Sequence, residues 1–157
     1  MSLLAQLAAL VAILGTGVAY GTDVFAAIAL RPALAQVDDA ALTSVMGNVH
    51  RFADRRMPLP SVIGIIASAA ATVLAAIAGN VPTAVLAAAG FVLWLVWMVL
   101  YQRISAPINR VLTAAATARE TLPNARELQR RWDRIITLRA TLQGLAVAAL
   151  GAALIAS

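Results

Sequence analysis

Four long apolar runs leave this chain few ways to fold. They cover about 3–30, 60–79, 82–101 and 140–157. A helix rising 1.5 Å per residue crosses a bilayer in about 20 residues, so each run is close to one span. The composition agrees, at 62% hydrophobic and 12% charged, where soluble domains average roughly 25% charged. A soluble core of 157 residues could not hide so much apolar surface. The expected fold is all-α: one integral membrane four-helix bundle with cytoplasmic helical extensions at about 40–56, 107–121 and 125–139.

The charges lie between the runs. All 12 basic residues are Arg, eight of them between Arg103 and Arg139, the other four at Arg31, Arg51, Arg55 and Arg56. An excess of Arg marks cytoplasmic intervals. Both polar intervals are therefore expected in the cytoplasm, with both termini outside a cell membrane crossed four times. The formal charge of +5 resembles a nucleic-acid signature, but arginines flanking apolar spans explain it more simply. No nucleic-acid partner is expected.

Local signals refine the reading. Ala33-Leu34-Ala35 resembles a signal-peptidase site. The preceding segment lacks a basic start, however, and is too long for a signal h-region of about 7–15 residues, so it reads as a span. Asp38-Asp39 suits a helix cap, and Pro58 and Pro60 are expected to end the helix that follows. Gly64, Ser68, Thr72 and Ala76 recur every fourth residue, a small-residue stripe of the kind on which membrane helices pack. Asn80 and Pro82 mark a turn. Pro107, with Ser105 or Ala106 as cap, suggests a helix start. Leu122-Pro123 would end that helix, and Asn124 with Glu127 resembles a capping box. From Ala125 one helix is expected to run to the end.

Depth follows from helical rise. With Leu3, Gly79, Pro82 and Ser157 near the outer face, Arg139 falls level with Gly21, and Tyr101 and Pro60 level with Thr22. Tyr20, Asp23, Tyr101, Arg103 and Arg139 thus share one layer near the cytoplasmic end. A charge inside a span is costly and normally faces a partner or cavity, so Asp23 is expected to meet Arg139, as a structural ion pair or a ligand anchor. Arg139 could hold an anionic or phenolate oxygen or extend to the headgroups. Arg126, Arg130 and Arg131 read as a solvated or headgroup face.

His50 is the single histidine. With Asp54 one turn on, it could be an oriented base or a haem ligand; the plainer reading is an exposed interfacial side chain. Trp94, Trp97, Tyr101 and Trp132 could line an apolar pocket for a flat ring, with Trp94 too deep for an interfacial belt. Asn109 could cap a helix or bond across the layer.

Ala106-Pro107-Ile108-Asn109 and Arg130-Arg131-Trp132-Asp133-Arg134-Ile135-Ile136-Thr137-Leu138-Arg139, together with Tyr20-Gly21-Thr22-Asp23 and Arg31-Pro32-Ala33-Leu34, resemble the DUF1772 family of small four-span membrane proteins. That family includes the anthrone oxygenases of aromatic polyketide pathways. The resemblance covers nearly the whole chain and rests most on P-x-N after span three and W-x-R-x-x-x-x-R before span four. It implies a four-helix membrane bundle and oxidation of an electron-rich aromatic by O₂ without a cofactor. Pro107, Asn109, Trp132, Arg134 and Arg139 match the family pattern. Ile136 departs from it, standing where many members carry His or Asn.

The chain has no cysteine, which excludes disulfides, thiolate metal sites and a Cys nucleophile. It shows no P-loop, dinucleotide fingerprint, HExxH or Ser/His/Asp order, and no inverted repeat of the transporter kind. Three functions fit: an oxygenase-like enzyme, a non-catalytic lipid or quinone binder, and a structural subunit. The expected partners are membrane lipid, a hydrophobic small molecule and, for a subunit, other chains including copies of itself. No metal site is expected.

Overall fold

Prolines shape the helices in ways that local signals do not reveal. The computed structural model describes residues 3–156, and no strand occurs among them. Helix α1 (Leu3–Phe25) passes through a π-helical turn (Ala26–Leu30) into α2 (Arg31–Leu34). Helix α5 (Val81–Leu100) passes through a second π turn (Tyr101–Ser105) into α6 (Ala106–Ala118). Each π turn ends two residues before a proline, Pro32 or Pro107.

A proline inside a helix lacks its N–H and crowds the carbonyl four residues back. Those carbonyls belong to Ile28 and Arg103, both inside the π turns. The turns widen, and the backbone N–H groups of Arg31 and Ala106 reach back five residues to Ala26 and Tyr101. Span one therefore continues to Leu34, and Pro107 starts no new helix. Ser105 makes no cap bond.

Pro58 and Pro60 do follow the end of a helix, as expected, and they also open the next one. Helix α3 (Asp39–Arg56) and helix α4 (Pro58–Ile77) are separated by Met57 alone. Both prolines sit at the start of α4, where a missing N–H costs little. Asp38 caps α3, accepting from the Ala41 N–H at 2.7 Å. Asn80 caps α5 through Thr83, following a turn in which Gly79 adopts φ +71°. Helix α6 stops at Ala118, with Arg119 in the left-handed region at φ 59°, before Pro123 can act. Asn124 makes no side-chain cap, but α7 (Ala125–Ile155) does run as one helix of 31 residues.

Four helical segments are long and apolar enough to cross a membrane: Leu3–Leu34, Pro58–Ile77, Val81–Ala118 and Ala125–Ile155. They form an all-α bundle in which α1 packs on α4 and α7, and α5 on the same two. Small side chains fill its interior, among them Ala9, Ala71, Ala87 and Ala153. Outward faces carry Val, Leu and Ile, such as Ile66, Val85 and Ile77.

The tightest approach joins α1 and α4. A Cβ placed on Gly15 would stand 2.7 Å from the Gly64 Cα, and one on Gly64 would stand 3.2 Å from the Gly15 carbonyl carbon. Only backbone fits there. The buried face of α4 is Ser61, Gly64, Ala67, Ser68, Ala71 and Ala75, while Thr72 is partly covered and Ala76 exposed. The stripe thus turns with the 3.6-residue period rather than following every fourth residue.

Beyond the bundle, α3 packs on α6 as a cover over one end. An apolar cluster including Met46, Ile108, Leu112, Leu128, Trp132 and Ile136 joins this cover to α7. Arg126 pins the corner. Its guanidinium pairs with Asp39 at 2.9 Å and donates to the carbonyls of Leu34, at 2.8 Å, and Val37. Its role is to tie three segments together, not to form a solvated face.

Candidate functional site

The covered end of the bundle holds a cavity of about 500 Å³, bounded by α1, α3, α4, α5, the second π turn, α6 and α7. Its walls are mainly apolar, with Met46, Met57 and Met98 beside Trp97, Tyr101 and Trp132. Thr22, Phe25, Val49, Pro58, Val62 and Gln102 form its exposed rim.

Arg139 stands at the centre of the polar groups. One guanidinium nitrogen pairs with Asp23 Oδ1 at 2.7 Å, and another donates to Ser105 Oγ at 2.7 Å. Asp23 Oδ2 accepts from the Trp97 indole N–H at 2.7 Å. The guanidinium also lies 5.1 Å from the Trp97 ring centre and 5.6 Å from those of Tyr101 and Trp132, within cation–π range. The pair is buried, so its charges attract strongly in a low dielectric, and hydrogen bonds offset part of the desolvation cost. The second π turn contributes directly, because it brings the buried Ser105 into the interior to meet Arg139.

A second polar group faces the same cavity. Asp54 Oδ1 accepts from the Tyr101 hydroxyl at 2.8 Å, and the Asn109 amide donates to Oδ1 and Oδ2 at 3.1 and 3.3 Å. Asp54 therefore bonds Tyr101 and Asn109 and does not orient His50. His50 is not an exposed interfacial side chain either: it is 4% exposed, with its ring centre 5.7 Å from that of Trp132. Burial pushes its pKa down to about 4, with Asp54 opposing and Arg139 adding to the shift. Near neutral pH the imidazole is uncharged.

Four buried polar atoms on residues of this cavity have no partner: His50 Nε2, Asn109 Oδ1, Trp132 Nε1 and Arg139 Nε. Buried groups are nearly always hydrogen-bonded, and orphans mark places where water or a ligand completes the pattern. One turn deeper, Gln143 is also buried with both amide ends unpartnered, outside the cavity lining.

Asp23, His50, Asn109, Arg139, Trp97, Tyr101 and Trp132 are thus brought to one cavity. Three other expected residues lie elsewhere. Trp94 is fully buried in the bundle, donating to Thr16 Oγ1 at 2.6 Å and meeting Trp97 edge-on. Tyr20 is 37% exposed and lies over Gly144 of α7. Arg103 is exposed. The π turn after Leu100 re-aims the residues beyond it, so level position alone does not bring Arg103 inward.

The sequence reading left out Asp54 as a cavity group and Ser105 as an acceptor. Asp54 could have been found as the one acid in the first polar interval beyond the Asp38-Asp39 cap. Nothing local marked Ser105.

No family model, characterised protein or solved structure matches this chain. Among the described residues, no three His, Cys, Asp or Glu side chains are grouped to hold a metal ion. A shallow groove lies outside the bundle, lined by Arg31, Glu127, Arg130, Asp133, Arg134 and Thr137, and its charges suit solvent or headgroups.

Proposed function

We propose that this multi-pass membrane protein binds a lipophilic, ring-containing small molecule in the cavity around Arg139 and Tyr101. One observation carries the reading: an apolar, aromatic-lined space of about 500 Å³ contains buried polar atoms that the protein itself leaves unsatisfied. Ligand sites combine apolar walls with a few convergent polar groups in this way. A purely structural subunit would gain nothing from such orphans, each of which costs about 1–3 kcal/mol unless something pairs with it.

The cavity belongs to the half of the bundle that carries the arginines, so the proposal places it at the cytoplasmic end, with both termini outside. Its rim residues Phe25, Pro58 and Val62 are exposed on the apolar segments that carry the spans, which suits a ligand arriving from the bilayer.

Binding is tested with 2-naphthol on protein in nanodiscs, read by thermal stability. A rise in Tm that Ala53→Trp abolishes supports the proposal, because Ala53 lines the cavity. An equal rise in that variant overturns it.

A second reading, oxidation of the bound ring by O₂, is favoured by His50. Its buried, uncharged imidazole leaves Nε2 as an unpartnered acceptor on the cavity wall, placed to hold a hydroxyl of the bound ring. Oxygen uptake in the presence of anthrone, lost in His50→Gln, is the expected sign. Uptake unchanged by that substitution would remove the reading and leave the binding proposal standing.

A further inference from the structure

The charges around the cavity do not balance. Its ionisable lining residues are Asp23, Asp54, Arg139, His50 and Tyr101. Arg139 is paired with Asp23 at 2.7 Å. Asp54 has only neutral donors, the Tyr101 hydroxyl and the Asn109 amide. Among the described residues no arginine lies within ion-pair distance of it. Asp54 is partly covered, and a cation is a stronger partner for its carboxylate than another neutral donor.

Two more acceptors stand beside it. The Asn109 amide nitrogen faces Asp54, so its orientation is settled and Oδ1 is the atom left buried and unpartnered. His50 lies one helical turn before Asp54 on α3, with Nε2 also buried and unpartnered. A neutral imidazole can present that nitrogen as an acceptor. The polar end of the cavity therefore offers a carboxylate without an ion-pair partner and two spare acceptors.

An ammonium group is their complement: one positive charge and up to three N–H donors, with no acceptor. A carboxylate or phenolate ligand would bring a second negative charge to Asp54. An alcohol would supply one donor and leave the charge unpaired. The remaining walls suit an apolar tail. Trp132 Nε1–H and Arg139 Nε–H, unpartnered donors on the same cavity, would donate to an oxygen carried further along that tail.

We infer that the ligand of this cavity is a lipophilic amine whose ammonium pairs with Asp54, with its N–H groups directed at Asn109 Oδ1 and His50 Nε2. The inference rests on the cavity being a binding site, as proposed above, and adds the chemical class of what binds.

The test compares 4-phenylbutylamine, 4-phenylbutanol and 4-phenylbutyrate, which share a tail and differ in the head. Each is titrated against the protein in zwitterionic nanodiscs, with empty nanodiscs subtracted. Quenching of tryptophan fluorescence reports binding, since two of the three tryptophans line the cavity. The amine should bind about tenfold more tightly than the alcohol, because its ammonium adds an ion pair to the hydrogen bond that a hydroxyl can make. The butyrate should bind weakest. Asp54→Asn should remove most of the amine's advantage over the alcohol.

Equal affinity of amine and alcohol for the wild-type protein overturns the amine assignment and leaves the binding site intact. An amine preference that survives Asp54→Asn overturns it too. Failure of all three probes, together with failure of 2-naphthol, overturns the site itself. If Asp54→Asn does not fold, the wild-type ratio of amine to alcohol decides.

Discussion

Asp23 of α1 and Arg139 of α7, 116 positions apart in sequence, meet at 2.7 Å with side chains only 4% and 7% exposed. Truncating either alone leaves a buried charge without its partner, at a typical cost of about 3–5 kcal/mol. Asp23→Asn and Arg139→Gln should each lower the melting temperature in detergent strongly. The double variant should recover much of the loss, because neither charge then remains. Destabilisation of the double variant equal to the sum of the singles would show that the pair does not couple.

The α1–α4 contact gives a second prediction. Gly15 faces the Gly64 backbone, whereas Gly17, two residues on, has nothing within 4 Å of where a Cβ would stand. Gly15→Leu should destabilise by about 1–3 kcal/mol or more, as overpacking does. Gly17→Leu should leave the melting temperature nearly unchanged. Similar losses at both positions would mean that the helices do not meet at Gly15.

His50 predicts how stability depends on pH. Its folded pKa is depressed to about 4 from 6.5. As pH falls below about 6.5, the unfolded chain takes up a proton that the folded protein refuses, so stability drops until pH approaches 4. The full loss is roughly 3 kcal/mol at about 1.4 kcal/mol per pKa unit. Denaturation curves at pH 7 and pH 5 should show the difference for the wild type and a smaller one for His50→Gln. The same difference in both proteins would assign the effect to other groups.

Orientation is tested by labelling. The chain has no cysteine, so single substitutions at Ala78, in the α4–α5 turn, and at Thr117, near the end of α6, are clean probes, and both positions are exposed. A membrane-impermeant maleimide should reach Ala78→Cys from outside intact cells and Thr117→Cys only after lysis. Labelling of both from one side would refute the assigned topology.

The bundle was legible in the sequence because its signal is compositional. Four apolar runs bounded by arginines announce four helices whatever their neighbours do. Helical rise, a local quantity, was enough to set Asp23 level with Arg139. It failed for Arg103, because the π turn at Tyr101–Ser105 breaks the regular count. The proline behind that turn was visible, but a proline can equally well begin a helix, and the structure's choice depends on Ser105 meeting Arg139 across the bundle. Asp54 shows the same limit. On its own helix it is simply four residues after His50. It becomes a cavity group when α3 folds over the bundle end against α6, within reach of Tyr101 and Asn109. Sequence by itself determined how many apolar spans there are and which of their residues fall level, Asp23 with Arg139 among them. The tertiary structure alone decided which side chains turn inward to meet, because the rotation of each helix about its axis is set by packing against its neighbours.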